Sequence, residues 1–179
     1  MESKTISIVI PIYNEESLVA TLVSRVQSVM DELVRSHGLK PTSILVNDGS
    51  TDATLPRLRE LARADPRFII LDLSRNFGHQ PAIQAGLEHA TRTVKPDAVV
   101  IMDGDLQDPP EVIPSFIEAW RDGAEVVIGA RRTRAESGGR RLLFNTFHRV
   151  LGRLSDLPME TGSGVFGLLD ACALRELAQ

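Results

Sequence analysis

Short apolar runs rich in β-branched residues alternate along this chain with longer segments whose apolar positions recur at helical spacing. "ISIVIPIY" (6–13), "TSILVN" (42–47), "RFIILDL" (67–73), "DAVVIM" (97–102) and "AEVVIGA" (124–130) predict five strands, and "GVFGLLD" (164–170) a sixth. Residues 16–36 carry Leu18, Leu22, Val26, Val29 and Leu33 on one helical face. Further helices are predicted over 52–64, 80–91 (Pro81 is tolerated in the first turn), 109–121 and 139–154, with a last one after 170. Strand–helix repetition implies an α/β fold with a mostly parallel sheet and helices on both faces.

Such sheets bind ligands beyond the carboxyl ends of their strands. The polar clusters fall there: "YNEE" after the first strand, "NDGSTD" after the second, "SRNFGHQ" after the third, "DGDLQD" after the fourth and "RRTR" after the fifth. They are expected to converge on one edge.

Composition narrows the candidates. A net charge of −4 argues against nucleic acid as the bulk partner, since such binders usually show a basic footprint. Lys4, Lys40 and Lys95 are the only lysines among 20 basic residues, and arginine's planar fork suits phosphate; genomic base composition accounts for the same bias. One cysteine, Cys172, leaves no internal disulfide and no paired-cysteine metal site, and reads as a small core residue. The polar start "MESKT" does not resemble a signal peptide, and no apolar run reaches bilayer-spanning length. The expectation is a soluble or peripheral chain.

"DGDLQDPPE" (103–111) holds the densest acidic cluster, and its carboxylates fit two roles. Asp108 can cap the next helix, with Pro109 as its first residue and Glu111 as the acid of a capping box. That leaves Asp103 and Asp105, separated by Gly104. Two carboxylates so close repel unless something positive lies between them, and hard cations such as Mg²⁺ or Mn²⁺ suit oxygen ligands. Gln107 can add a neutral oxygen. An EF-hand is excluded, because Asp108 and Pro114 stand where it needs glycine and glutamate.

The other clusters are less specific. In "VNDGSTDAT" (46–54), Ser50 or Thr51 can cap a helix and Asp52 suits its dipole, while Asp48 can accept a hydrogen bond from a sugar or a base. In "PIYNEE" (11–16), Asn14 fits an N-cap, and Tyr13, the only tyrosine, can either pack on a nucleobase or simply be a surface residue. Arg75, Asn76 and His79 can line the cleft, but His79 reads better as a helix start than as a base. From Arg131 to Arg153 there are seven arginines and one acid, Glu136. The helix over 139–154 fits a core helix with a solvated arginine face, or one lying on an anionic membrane surface.

"SIVIPIYNEE", "LVNDGSTDAT", "SRNFGHQPAIQAGL", "VIMDGDLQDPPE" and "VIGARR", in this order, resemble a family-2 glycosyltransferase of GT-A-type, Rossmann-like fold. Within that family the chain is most similar to the dolichol/polyprenyl-phosphate sugar synthases. The resemblance implies one catalytic domain over 1–179, with nucleotide-sugar binding over about 1–131 and an acceptor-side, membrane-proximal part over about 132–179. It implies inverting transfer from a UDP- or GDP-sugar to a polyprenyl phosphate at the cytoplasmic face of the membrane. Pro11, Tyr13, Glu15, Val46 and Asp48 would hold the nucleoside. Asp103 and Asp105, flanking Gly104, would be the metal motif, with Gln107 a further ligand. Arg131 would meet the diphosphate.

Members often carry an acid and a base in a "GDFRLLDR"-like segment; here "GVFGLLDA" has Val165 and Gly167 instead. That turns attention to Arg131, Arg132 and Arg134 as phosphate partners. Many members continue into transmembrane helices, which favours a membrane-proximal 139–154. Two other readings stay open: the same fold acting on a hydroxyl acceptor, and a non-catalytic nucleotide-sugar-binding module.

Overall fold

The strands at the middle of the sheet are apolar on both faces, and the computed structural model shows why. β1 (Thr5–Ile12) runs between two layers of helices. Ile6, Ile8, Ile10 and Ile12 point into one core, and Val9 into the other. β2 (Lys40–Asn47) repeats the alternation, with Leu45 on the first side and Ile44 and Val46 on the second. β4 (Ala98–Ile101) does so with Ala98 and Val100 against Val99 and Ile101. A strand covered on both faces reads as a continuous apolar run, which is what marked these segments.

The structure describes residues 3–130 and 163–177. The chain divides into two units, Met1–Val127 with Val165–Gln179, and Ile128–Gly164; the packing below is that of the first. β3 (Phe68–Asp72), β5 (Val126–Ala130) and β6 (Ser163–Asp170) complete a sheet of order β3-β2-β1-β4-β6-β5. β1 is parallel to both neighbours, pairing Ile12 with Asn47 of β2 and Val9 with Ile101 of β4. β6 is antiparallel to β4, with Gly167 opposite Ile101. The sheet is therefore mixed and mostly parallel.

On the first face lie α1 (Val19–His37), α2 (Thr54–Ala64) and α4 (Ile113–Arg121), which bury Leu22, Met30, Leu58, Phe116 and Trp120. On the second lie α3 (His79–His89) and α5 (Ala171–Leu177), through Ala82, Ile83 and Leu174. The predicted helix over 139–154 lies outside the described residues.

Helix starts depart from the sequence expectation. α1 begins at Val19 without a side-chain cap. Asn14 adopts φ 53°, a conformation asparagine tolerates better than most residues, and its Oδ1 accepts the N–H of Thr51 at 2.9 Å. α2 is not capped by Ser50 or Thr51: Ser50 Oγ instead accepts the N–H of Asn14, and Asp52 Oδ1 accepts that of Thr54. Asn14 and Ser50 have a competing partner in each other's loop, and that tertiary bond wins over the local cap.

Candidate active site

In this strand order, β1 leads to β2 and β3 on one side and to β4 on the other. The chain thus reverses its winding between β1 and β4, the place where open α/β sheets leave a crevice. A cavity of about 380 Å³ lies there. Pro11, Tyr13 and Glu15 line it from the end of β1, Asp103, Gly104 and Asp105 from the loop after β4, and His79 from the start of α3.

The loops are held by bonds that cross from one to the next. Asp48 is 3% exposed, and its two oxygens accept the N–H groups of Phe77 and Gly78 at 2.8 and 3.0 Å. Glu15 N–H donates to Thr54 Oγ1, and Glu16 Oε2 accepts the N–H of Ala53, both at 2.9 Å. Gly49 stands at φ 64° with the Arg75 backbone so near that a Cβ would fall 2.2 Å from its carbonyl carbon. Gly104 is pinned similarly: a Cβ there would meet the Pro11 carbonyl oxygen at 2.9 Å and Ile12 Cγ1 at 3.2 Å. Glycine between the two aspartates lets the loop press against β1.

The acidic run divides into two parts, though not by helix capping. Asp103 Oδ1 lies 3.2 Å from His79 Nε2. Asp105 Oδ1 accepts the N–H of Gln107 at 2.9 Å, across Leu106 in the left-handed region at φ 60°. A 3₁₀ turn over Pro110–Val112 follows, preceded by Pro109, with no side-chain cap, so Asp108 does not cap it and Pro109 is not its first residue. Asp108 is buried at 2% exposure. Glu111 does not close a capping box; it grips Arg25 of α1 with both oxygens, at 2.8 and 2.6 Å. That guanidinium holds the Glu111 carboxyl below its ordinary pKa, against the upward push of partial burial. An arginine fork offers two charged donors, where a cap offers one backbone amide, and the fork prevails.

Comparison with known proteins agrees with this architecture. Residues 7–176 match the model of glycosyl transferase family 2. The chain belongs to that family. It is 41% identical over 165 residues to "Uncharacterized glycosyltransferase YkcC" of Bacillus subtilis, covering 92% of this chain and 49% of that protein. It is 38% identical over 165 residues to "Prophage bactoprenol glucosyl transferase homolog" of Escherichia coli, covering 92% and 51%. The chain thus spans about half the length of the curated relatives it matches. Among solved structures, a mannosyltransferase from Pyrobaculum calidifontis in complex with GDP-Man and Mn²⁺ superposes with a TM-score of 0.65 at 21% identity, over 99% of this chain and 47% of that one. This likeness bears on the fold, which is of GT-A type.

The predicted site of this family-2 chain is brought together in part. Pro11, Tyr13, Glu15, Asp103, Gly104 and Asp105 share one cavity. Tyr13 is 43% exposed, so its ring is open to a ligand. Val46 is fully buried, in the core against α3, and its side chain does not line the cavity. Asp48 spends its carboxylate on the backbone of the loop after β3, a role the sequence reading did not foresee. Gln107 is exposed and outside the lining; its backbone, not its amide, is what the structure ties to Asp105. Arg131, Arg132 and Arg134 lie outside the described residues. His79 opens α3 and also joins the cavity, in keeping with the sequence reading that put it at a helix start and among the residues able to line the cleft.

Among the described residues, no three or more His, Cys, Asp or Glu side chains form a metal cage. Asp103 and Asp105 offer oxygen donors only, on one wall of an open cavity. That set fits a divalent cation of the Mg²⁺ type, which takes one or two carboxylates and completes its shell with water and substrate phosphates.

Proposed function

We propose that this chain is the nucleotide-sugar-binding catalytic region of an inverting, metal-dependent glycosyltransferase. It would pass a sugar from a UDP- or GDP-sugar to a polyprenyl phosphate. The observation that carries the reading is the paired carboxylates of Asp103 and Asp105 facing Pro11, Tyr13 and Glu15 across the β1–β4 crevice. The pair would hold the cation, and the wall from β1 would hold the nucleoside, with Tyr13 against the base. Asp48, and Val46 beneath it, would support that wall from β2.

A bound cation would neutralise charge developing on the departing diphosphate. Arg131, which the family resemblance puts at the diphosphate, would add a forked donor. A phosphate acceptor has a second pKa near 6, so it reaches the site largely ionised and asks little of a general base. Support for the lipid comes from the bactoprenol glucosyl transferase homolog, since bactoprenol is a polyprenol. Support for the donor and cation comes from the neighbour that holds GDP-Man with Mn²⁺. The division into a donor part over 1–131 and an acceptor part over 132–179 belongs to the same proposal. So does the placing of 139–154 at the cytoplasmic membrane face. No helix among the described residues is long and apolar enough to cross a membrane.

The test is a thermal-shift panel of UDP, GDP, CDP and dTDP, each with Mn²⁺ and with EDTA. A ligand that binds only the folded state raises the melting temperature. UDP or GDP is expected to do so with Mn²⁺ and to lose most of the effect in EDTA. No Mn²⁺-dependent shift with any of the four refutes the donor site. Sugar transfer from the matching donor to a polyprenyl phosphate, assayed on the full-length protein, tests the acceptor; transfer only to hydroxyl acceptors would refute that part.

A further inference from the structure

Asn14 stands between Tyr13 and Glu15, which both line the cavity, and has no task in the chemistry above. Its backbone is in the left-handed region at φ 53°. Three successive amides of this loop are held from the loop after β2. The N–H groups of Asn14, Glu15 and Glu16 donate to Ser50 Oγ, Thr54 Oγ1 and Asp52 Oδ2, at 3.0, 2.9 and 3.3 Å. The Asn14 side chain reaches back the other way, its Oδ1 accepting the N–H of Thr51 at 2.9 Å. The partner loop is itself anchored: Thr54, where it enters α2, is fully buried, and Leu58 of that helix packs into the core.

Resting on the donor site just proposed, we infer that Asn14 is a positioning residue for the nucleoside wall, acting through Tyr13 and Glu15. Tyr13 is 43% exposed, so the direction of its ring follows the backbone that carries it. Asn14 fixes that backbone twice, by its amide on Ser50 and by its side chain on Thr51. Asparagine suits the place because it tolerates the left-handed region and also carries an acceptor. Glycine has the first property and lacks the second. Without the side-chain bond the loop is freer, and a nucleoside must then order Tyr13 and Glu15 as it binds. That ordering is subtracted from affinity.

The experiment is calorimetric titration of the full chain with UDP and with GDP, each with Mn²⁺, well below the melting transition, for the wild type, Asn14→Gly and Asn14→Asp. Glycine keeps the backbone conformation and removes the acceptor; aspartate keeps both. The dissociation constant of the nucleotide that the wild type binds is expected to rise about 10-fold in Asn14→Gly, and to stay within about threefold in Asn14→Asp. Without ligands, both variants should melt within about 4 °C of the wild type, because one exposed hydrogen bond is at stake.

An unchanged dissociation constant in Asn14→Gly, whatever its melting temperature, overturns the positioning role and leaves the donor site standing. Equal losses of affinity in both variants overturn it in favour of a direct contact between the Asn14 amide and the nucleotide. A larger fall in the ligand-free melting temperature of Asn14→Gly, or its failure to fold, overturns it in favour of a structural role. No Mn²⁺-dependent binding of either nucleotide by the wild type removes the donor site itself, and this inference with it.

Discussion

The loop after β2, "NDGSTD", and the loop after β4, "DGDLQD", are close in composition and sit at the same edge of the sheet. Their carboxylates are occupied differently. In the first, Asp48 binds two backbone amides of the loop after β3, and Asp52 accepts the N–H groups of Thr54 and Glu16. Burial pushes the Asp52 pKa up, but these bonds and the Thr54 hydroxyl more than offset it, so the group lies below its ordinary value. In the second, Asp103 and Asp105 both line the cavity; Asp103 Oδ1 lies 3.2 Å from His79 Nε2, and Asp105 Oδ1 accepts the N–H of Gln107. Carboxylates given to amides of other loops build the wall. Carboxylates that line the crevice are placed where a ligand would enter. The letters alone do not distinguish the two uses.

The sharpest way to break this contrast is to remove one carboxylate from each loop. Asp105→Ala is expected to weaken Mn²⁺-dependent nucleotide binding by more than about 100-fold, beyond what an outer-shell group contributes. Its ligand-free melting temperature should hold or rise slightly, because a like-charge repulsion is relieved. Asp48→Ala should instead unfold more easily: the amides of Phe77 and Gly78 lose the charged acceptor they share, at about 3 kcal/mol, or roughly 6–12 °C in melting temperature for a chain of this size. A destabilised Asp105→Ala that still binds the Mn²⁺–nucleotide complex, or an Asp48→Ala of unchanged stability, would mean the two roles had been assigned the wrong way round.

Gly104→Ala probes the seam between the β1 wall and the proposed cation site. Its methyl would press on the Pro11 carbonyl and Ile12, which belong to the central strand and cannot easily yield. Overpacking of this kind costs about 1–3 kcal/mol. Because the loop rather than the strand must move, the Mn²⁺-dependent shift should fall with it. A stable variant with normal Mn²⁺ response would show that the close approach of the loop to β1 does not matter to the site.

These residues also show what was legible in the sequence. The strands were, because burial on both faces leaves runs such as "ISIVIPIY" no polar alternation, and strand–helix alternation then gave the edge where the polar clusters meet. Asp103, Gly104 and Asp105 were, because their spacing had no better structural account. The small polar residues were not. Asn14, Ser50 and Asp108 were each assigned a helix cap from local pattern, yet Asn14 and Ser50 bond to each other's loops and the turn after Asp108 has no side-chain cap. A cap is a local rule, and Asn14 and Ser50 sit where chain segments converge, so their nearest partners come from elsewhere in the sequence. His79 was read as able to line the cleft, but its neighbour Asp103 was not legible, because the two are close only once β1, β3 and β4 are assembled.

The smallest expected effect tests the far end of the acidic run. Glu111 and Arg25 form a two-pronged pair, but their side chains are 54% and 33% exposed, so solvent screening keeps the contribution near 0.5 kcal/mol. Glu111→Ala should lower the melting temperature by roughly 1–2 °C and leave Mn²⁺-dependent nucleotide binding unchanged. The pH dependence has a definite sign. Folding depresses the Glu111 pKa, first through the bond to Arg25, so the unfolded chain binds this proton more readily than the folded one. The advantage of the wild type over the variant is therefore fully present above the ordinary glutamate pKa of about 4.3 and shrinks as the pH falls below it. Paired melts of the two proteins from neutral pH downward measure this directly. A difference that grew on acidification would mean Glu111 stabilises the fold as a neutral acid, and its grip on Arg25 could not be what anchors the exit of the loop after β4 to α1.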